Sequence, residues 1–132
     1  CEQFGALYGW EVAKTACPTG WHLPTDKEWD MLFDAVGGKK KAAAALKSAA
    51  SDTWELSSSR GTDTYGFTAL PGGLKGVTGS YARRGTLGGF WTASKHGPGS
   101  WFVEMRYDDE KVYFTSSHPL IGRSVRCLKD RP

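Results

Sequence analysis

The feature that most constrains the fold is a proline followed at once by a complete helix-start signal, within residues 17–29. Pro24 has no backbone amide proton and disfavours a helical conformation at the residue before it. Thr25 and Glu28 have the spacing of a capping box, in which each side chain accepts a hydrogen bond from the other residue's free backbone amide. The pattern therefore predicts a helix that begins at Asp26.

The predicted helix carries one apolar stripe. Its members recur at i, i+3, i+4 and i+7, as one face of a helix requires: Trp29, Leu32, Phe33 and Val36. Gly37 and Gly38 follow, and glycine is the residue that most readily adopts the left-handed conformation that closes a helix. We therefore interpret this stretch as a core helix that specifies the fold, and not as a catalytic motif.

The length and composition are those of one aromatic-rich domain. The 132 residues suffice for a single hydrophobic core, so we predict one domain over residues 1–132. Aromatic residues make up 13% of the chain and glycine contributes 17 residues, which favours short strands and ordered loops over a helical bundle. The net charge of +3 is dispersed apart from residues 39–41 and 83–84, so no nucleic-acid partner is expected. No apolar run reaches about 18 residues, so no membrane span is expected.

The three cysteines leave several pairings open. Cys1 stands at the first position, where a lipid-modified terminus, half of a bridge and an arbitrary boundary are all consistent with the sequence. A bridge between Cys17 and Cys127 would close a loop of about a hundred residues and stabilise the fold by about 4 to 5 kcal/mol. Such a bridge would indicate an oxidising, extracytoplasmic compartment. Two buried, reduced thiols are the alternative.

Helical patterns are confined to the first part of the chain and strand patterns to the second. Residues 39–50 consist mostly of strong helix formers, and a shorter helical segment is expected over residues 8–15. Loop compositions cover residues 51–66 and 74–89. The predicted strands are residues 67–70, 90–94, 101–107, 111–115 and 123–128. Helices that precede antiparallel strands indicate an α+β fold with the helices on one side of the sheet.

The strands at 101–107 and 111–115 form the clearest predicted hairpin. Alternation places four of their residues toward a core: Trp101, Val103, Met105 and Tyr107. Their neighbours Phe102, Glu104 and Arg106 are then expected to face outward, together with Tyr113. Outward aromatic residues beside charged ones are typical of a binding surface, and burial beneath the 74–89 loop is the alternative.

No catalytic constellation is recognisable by motif. The three histidines lie far apart in the sequence, with neither a Ser-His-Asp nor a Cys-His set. We expect a structural hydrogen bond for His22 and surface contacts for His96 and His118. The acidic run at 108–110 is typical of a hairpin turn, and calcium binding is the less favoured interpretation. No catalytic residue, cofactor or metal site is therefore predicted.

Several blocks of the sequence resemble the Fibrobacter succinogenes major paralogous domain, and they occur in the family's order along nearly the whole chain. They are Gly9-Trp10, Cys17 through Trp29, Leu46-Lys47-Ser48, Gly66 through Gly73, Phe90 through Ser94, and Ser124 through Asp130. This family is similar in fold to the formylglycine-generating enzymes, a variant of the C-type lectin fold. The resemblance implies an α+β, C-type-lectin-like domain with two helices packed on a twisted, mainly antiparallel sheet and long ordered loops. It also implies a disulfide between Cys17 and Cys127.

The resemblance implies recognition rather than catalysis. Formylglycine-generating enzymes hold copper with two cysteines late in the chain, whereas only Cys127 lies in that half of this sequence. The tripeptides with which sugar-binding C-type lectins hold calcium are not found in this sequence. The family occurs in surface proteins, secreted proteins and lipoproteins of Bacteroidetes and Fibrobacteres. We therefore expect a non-enzymatic, extracytoplasmic domain, secreted or anchored at the cell surface, that binds a protein or a glycan. A structural or adhesive module of a larger bacterial surface protein is the alternative.

A second resemblance is to the variable proteins that retroelements diversify, some of which use this fold to hold a fixed core beneath a changeable C-terminal face. The corresponding face here would lie on the late strands and turns, between Ala82 and Leu120. Its expected ligand-binding residues are Arg83, Leu87, His96, Phe102, Glu104, Arg106, Tyr113 and His118.

Overall fold

Three short helices and seven strands form the part of the chain that the computed structural model describes, residues 4–57, 59–96 and 99–131. The helices are α1 (Trp10–Ala13), α2 (Asp26–Ala35) and α3 (Ala42–Leu46). The strands are β1 (Trp21–His22), β2 (Leu74–Lys75), β3 (Tyr81–Ala82), β4 (Leu87–His96), β5 (Gly99–Arg106), β6 (Val112–Ser117) and β7 (Leu128–Lys129). Strands β4, β5 and β6 form an antiparallel central sheet, while β2 pairs with β3 and β1 with β7. The fold is thus of the predicted α+β class and is mostly β, but α1 and α2 pack on opposite faces of the central sheet, so the prediction that the helices lie on one side of it is wrong.

The capping box at the start of α2 is present as predicted. The Glu28 amide donates to the Thr25 hydroxyl oxygen at 3.2 Å, and the Thr25 amide donates to the Glu28 carboxylate at 3.0 Å. At the other end, Gly37 and Gly38 have φ angles of 111° and 93°, and the Gly38 amide donates to the Phe33 carbonyl oxygen. The predicted start and end signals of this helix are both confirmed.

Helix α2 covers one face of the central sheet with aromatic side chains. The ring of Trp29 lies 6.1 Å from that of Phe90 on β4, and the ring of Phe33 lies 5.7 Å from that of Phe114 on β6, measured between centroids. Val103 and Met105 of β5 are fully buried in the same cluster. The predicted inward direction of these two β5 residues is confirmed.

The opposite face of the sheet is also buried over part of its length, which contradicts two predictions. Phe102 is only 3% exposed, because it packs edge-on against Trp91 in a cluster that α1 completes through Trp10. Leu87 is 5% exposed. The prediction that Phe102 and Leu87 are exposed on an outward face is therefore wrong. Simple alternation failed here because β5 has packed residues on both of its faces.

Several other predicted elements are shorter than expected, whereas the strand predicted at 90–94 is longer, since β4 spans Leu87–His96. Of residues 8–15 and 39–50, only the spans of α1 and α3 are helical. The expected strand at 67–70 is reduced to one parallel bridge between Ala69 and Lys47. The expected last strand divides into a bridge from Arg123 to Tyr8, a second bridge near the start of β4, and the two residues of β7.

A disulfide ties the start of the domain to its end. It joins Cys17 to Cys127, whose Cα atoms are 5.7 Å apart, and this is the pairing that the family resemblance implies. The adjacent pairing of β1 with β7 aligns Trp21 with Lys129. Cys1 lies outside the described residues. None of the helices in the described ranges is long and apolar enough to cross a membrane.

Candidate ligand-binding groove

A half-open groove of about 440 Å³ lies where the second face of the central sheet is no longer covered. Four of the residues that line it belong to the predicted ligand-binding face: Arg83, Leu87, Glu104 and Arg106. The others come from β2, from turns at the ends of β4 and β5, and from the C-terminal segment: Leu74, Thr86, Tyr107, Asp108 and Arg123. The structure thus brings half of the eight predicted residues into one concave site.

The register of the central sheet explains this convergence. Leu87 of β4 lies opposite Arg106 of β5, and Glu104 of β5 lies opposite Tyr113 of β6. Directly opposed residues of an antiparallel pair project from the same face. Since Glu104 and Arg106 are two residues apart on one strand, all four side chains share a face.

Arg106 is held in place before any ligand arrives. Its Nε donates to a carboxylate oxygen of Glu104 at 2.6 Å, and its guanidinium carbon lies 4.1 Å from the centroid of the Tyr113 ring. Tyr113 is itself fixed, because its hydroxyl donates to the Asp109 carboxylate. The hydrogen bond to Glu104 raises the pKa of Arg106 further above its ordinary value. The Arg106 side chain remains 45% exposed, so a positioned, charged fork of donors faces the groove.

Arg123 is a buried cation in the wall of the groove, and the sequence analysis missed it. It is 6% exposed, and its guanidinium carbon lies 3.5 Å from the centroid of the Phe102 ring. Its Nε donates to the Ser117 hydroxyl at 3.4 Å, whereas its Nη1 is buried without a hydrogen-bond partner among the residues that the structure describes. Burial lowers the pKa of Arg123 to about 10, so the group is still charged at neutral pH.

Gly89 provides the space for Arg123. A Cβ atom at position 89 would lie 3.0 Å from Nη1 and 3.2 Å from Cδ of Arg123. The composition of residues 74–89 predicted a loop that includes Gly88 and Gly89, although these two residues belong to β4. A glycine inside a strand often marks the close approach of another group, and this was the available signal for Arg123.

Arg83 lies at the rim of the groove in an unusual backbone conformation. Its φ angle is 64°, in the left-handed region that residues other than glycine seldom occupy. Its carbonyl oxygen accepts hydrogen bonds from the amides of Thr86 and Leu87, each at 3.1 Å. The turn is therefore fixed at the point where it presents the Arg83 side chain, which is exposed.

Three other predicted ligand-binding residues, Phe102, Tyr113 and His118, do not line the groove. Phe102 lies beneath Arg123, and Tyr113 supports Arg106 from β6. His118 is exposed in a separate turn, where its Nδ1 accepts a hydrogen bond from the Leu120 amide at 3.1 Å. The side chain of His96 lies outside the described part of the chain.

Lys47 is a second buried cation that the sequence analysis missed. It is 0% exposed, and its Nζ donates to the backbone carbonyl oxygens of Ser59 at 2.7 Å, Arg106 at 2.9 Å and Asp109 at 3.1 Å. Burial lowers the pKa of this ammonium group, and the neighbouring carboxylates, Asp109 first, oppose that effect. The helix propensity of residues 39–50 concealed this role, although the block Leu46-Lys47-Ser48 carried part of the family resemblance.

The position of Lys47 also bears on the acidic run at 108–110. The ammonium group already binds carbonyl oxygens at this turn, and oxygen atoms of this kind are what a calcium ion would require. Within residues 4–57, 59–96 and 99–131, no three His, Cys, Asp or Glu side chains are grouped so that they could hold a metal ion. The Lys47 ammonium group thus stabilises this turn through its backbone carbonyl oxygens.

His22 forms the structural hydrogen bonds that its position suggested. Its Nδ1 lies 2.5 Å from an Asp130 carboxylate oxygen, and its Nε2 lies 2.9 Å from both Glu28 oxygens. The hydrogen bond with Asp130, followed by that with Glu28, raises the pKa of His22 above its ordinary value of 6.5. A depression of about 500 Å³ beside it has an apolar wall that includes Met31 and Leu128. This depression is separate from the groove, and Arg123 lines the groove but not the depression.

The fold and the groove together define a small, mostly β domain that presents a preorganised set of charged side chains on its central sheet. The chain belongs to the Fibrobacter succinogenes major domain family, whose family model matches residues 1–129. This match confirms the resemblance at the level of the family. No curated protein and no solved structure matches the chain.

Proposed function

We propose that this domain is a non-enzymatic ligand-recognition module that acts outside the cytoplasm and binds a protein or a glycan through the groove. The observation that carries the proposal is that the Arg106 guanidinium group is already fixed in position at the groove. Glu104 and Tyr113 already hold its guanidinium group, so little conformational entropy is lost when a ligand binds. The recognition role assigned to the late strands and turns is retained, with Phe102 reassigned to the core and Leu87 kept as a largely buried part of the groove wall.

The Cys17–Cys127 disulfide supports an extracytoplasmic location. Disulfides persist in oxidising compartments and are rare in the reducing cytosol. Under this proposal the domain is secreted or anchored at the cell surface. The membership in the family supports the same placement, because the family resemblance implied surface and secreted proteins.

The proposal includes a C-type-lectin-like fold whose binding face a retroelement can diversify. The contrast between exposed groove residues and the closed core beneath them supports this part of the proposal. Arg83 and Arg106 are exposed, whereas the core beneath them is closed by α1 and α2. Substitutions at such exposed positions usually change stability by less than about 0.5 kcal/mol, so this face tolerates variation.

A structural or adhesive module of a larger surface protein is the second candidate function. It is favoured by the apolar depression beside His22, whose neighbourhood exposes large hydrophobic side chains. Met31 is 59% exposed and Leu128 is 41% exposed. Apolar residues grouped in this way are typical of a surface that another protein covers.

The proposed function is tested by charge reversal at the groove. The domain and its variant Arg83→Glu/Arg106→Glu are applied to an array that carries both glycans and purified surface proteins. The matched control is Lys27→Glu/Lys40→Glu, which makes the same charge change at exposed positions that do not line the groove. We expect the groove variant to lose binding by about tenfold or more while the control keeps it.

Two results would contradict the proposal. Equal binding by the wild type and the groove variant would show that the groove is not the binding site. A wild-type domain that is folded and binds nothing on the array would favour the structural module instead.

A further inference from the structure

The charge of the groove points to a specific class of ligand. We infer that the groove binds a small acidic sugar of the hexuronate type, with its carboxylate against Arg123 and Arg106 and its hydroxyl groups against Glu104 and Asp108. The inference rests on the proposed function, since it requires the groove to be a ligand site.

The first argument is the unpartnered donor of Arg123. Its Nη1 has no hydrogen-bond partner among the described residues, and a buried donor in this state is costly, the more so when it is charged. The Arg123 side chain lies close to Gly89 and stacks on the Phe102 ring, so packing holds it in place. The Nη1 atom itself has almost no exposed surface, so a ligand meets Arg123 through the part of its side chain that lines the groove, where a carboxylate matches the charge and the planar geometry of a guanidinium group.

The second argument is the balance of charge in the groove. Three guanidinium groups and two carboxylates line it, which leaves one positive charge unbalanced. Glu104 is paired with Arg106, whereas Arg83 and Arg123 have no ion pair within the described ranges. A ligand with one negative charge therefore completes the set.

The third argument separates a sugar acid from an acidic peptide. Glu104 and Asp108 also line the groove, and their carboxylates repel a ligand that carries several negative charges. Carboxylate oxygens accept hydrogen bonds from hydroxyl groups, which a sugar offers in number. A ligand with one carboxylate and several hydroxyl groups satisfies both kinds of side chain.

The fourth argument is the size and wall of the groove. Its volume of about 440 Å³ falls in the lower part of the range for small-molecule sites, which is roughly 300 to 1,000 Å³. A protein partner would instead need a contact of roughly 800 Å² on each side. Leu74 and Leu87 provide an apolar strip against which the C–H face of a pyranose ring packs.

The experiment is a calorimetric titration of the whole domain with D-glucuronate and D-galacturonate. The neutral probes are D-glucose and the methyl ester of glucuronate, which keep the ring and remove the charge. We expect the acids to bind about tenfold to a hundredfold more tightly than the neutral probes, and more weakly as salt is added. Arg123→Met should remove this preference for the acids.

The matched control is Arg84→Met. Arg84 is the sequence neighbour of Arg83, is exposed, and lies over the Phe4 ring instead of lining the groove. It should bind the acids as the wild type does. Equal affinity for glucuronate and its methyl ester would overturn the inference, as would a tetraglutamate peptide that binds more tightly than either sugar acid.

The two proposals fail in distinguishable ways. If the array finds a ligand whose binding depends on Arg83 and Arg106, but the sugar acids do not bind, the proposed function stands and this inference is wrong. If neither the array ligand nor the sugar acids depend on any groove residue, both are wrong.

Discussion

The two buried cations of this domain differ in how their donors are satisfied. The Nζ of Lys47 donates to carbonyl oxygens from two separate segments, at Ser59 and at the turn after β5. Arg123 has one long hydrogen bond to Ser117, and its Nη1 has no partner in the described part of the chain. Burial alone therefore does not distinguish a fully hydrogen-bonded charge from one whose donors are incompletely satisfied.

The difference indicates separate roles. A charge that is fully hydrogen-bonded within the protein stabilises the segments it connects, as Lys47 does for the loop at Ser59 and the hairpin turn. A charge with a free donor is destabilising in isolation, and its surroundings must offset that cost. Four experiments test this comparison, beginning with the largest expected effect.

Replacing Lys47 should cost the most. Lys47→Met keeps much of the side-chain volume but leaves the carbonyl oxygens of Ser59, Arg106 and Asp109 without their donor, so we expect a loss of about 3 to 5 kcal/mol. Urea denaturation of this variant and of Lys40→Met, an exposed control, measures the effect through the midpoint. If the two variants unfold at the same urea concentration, Lys47 is not the structural cation.

The glycines beside the two cations form a matched pair. A Cβ at Gly61 would lie 2.5 Å from both the Cβ and the carbonyl oxygen of Lys47, and this backbone has little freedom to move. At Gly89 the closest approach would be 3.0 Å, to Nη1 at the end of the Arg123 side chain, and a displacement of a few tenths of an ångström would relieve it. We expect Gly61→Ala to destabilise the domain by about 2 to 3 kcal/mol and Gly89→Ala by about 1 kcal/mol. Thermal unfolding of both variants decides this, and a larger loss for Gly89→Ala would reverse our assignment of the two sites.

Replacing Arg123 should have a small effect on stability. Arg123→Met removes a buried charge that has only one long hydrogen bond and keeps an apolar contact with Phe102, so we expect a change of less than about 1 kcal/mol in either direction. The free energy of unfolding from urea titration, compared with that of Lys47→Met, gives the contrast directly. A loss as large as that of Lys47→Met would mean that Arg123 is also a structural cation.

His22 is a third potential cation and lies at the surface. Replacing it should change the stability of the domain least, and the change should depend on pH. Because its pKa is raised in the folded state, the stabilisation is fully present below the ordinary value of 6.5 and is lost as the pH rises through the higher folded value. The melting temperature of the wild type should therefore fall toward that of His22→Gln between about pH 6 and pH 9. A constant difference between the two proteins across this range would exclude the proposed ion pairs with Asp130 and Glu28.

Local signals in the sequence predicted the parts of the fold that depend on neighbouring residues. The capping box at Thr25, the apolar stripe from Trp29, and the hairpin around the acidic turn all depend on side chains a few positions apart. Each is present in the structure. The pairing of Cys17 with Cys127 was implied by the family resemblance, since spacing alone left the reduced thiols open.

The errors arose where distant segments meet. Phe102 lies on the face of β5 that strand alternation predicted, but α1 and Trp91 cover that face. Strand periodicity does not show whether another element packs on a given face. Lys47 was assigned to a helix because its neighbours are alanines, whereas its partners lie 12 and 62 residues away. The groove was predicted in part, through Arg83, Glu104 and Arg106. Arg123 was missed because its role depends on a glycine in another strand.

The disulfide also determines how the domain carries mechanical load. A pulling force applied to the chain before Cys17 and after Cys127 passes through the sulfur bond and bypasses the 109 residues between them. Those residues correspond to roughly 370 Å of extended chain that cannot be released while the bond is intact. The central sheet and the groove lie within this shielded segment. The strands of the central sheet therefore cannot be unravelled by stretching the chain while the bond is intact, whereas Tyr8 and α1, which lie before Cys17, are not shielded in this way.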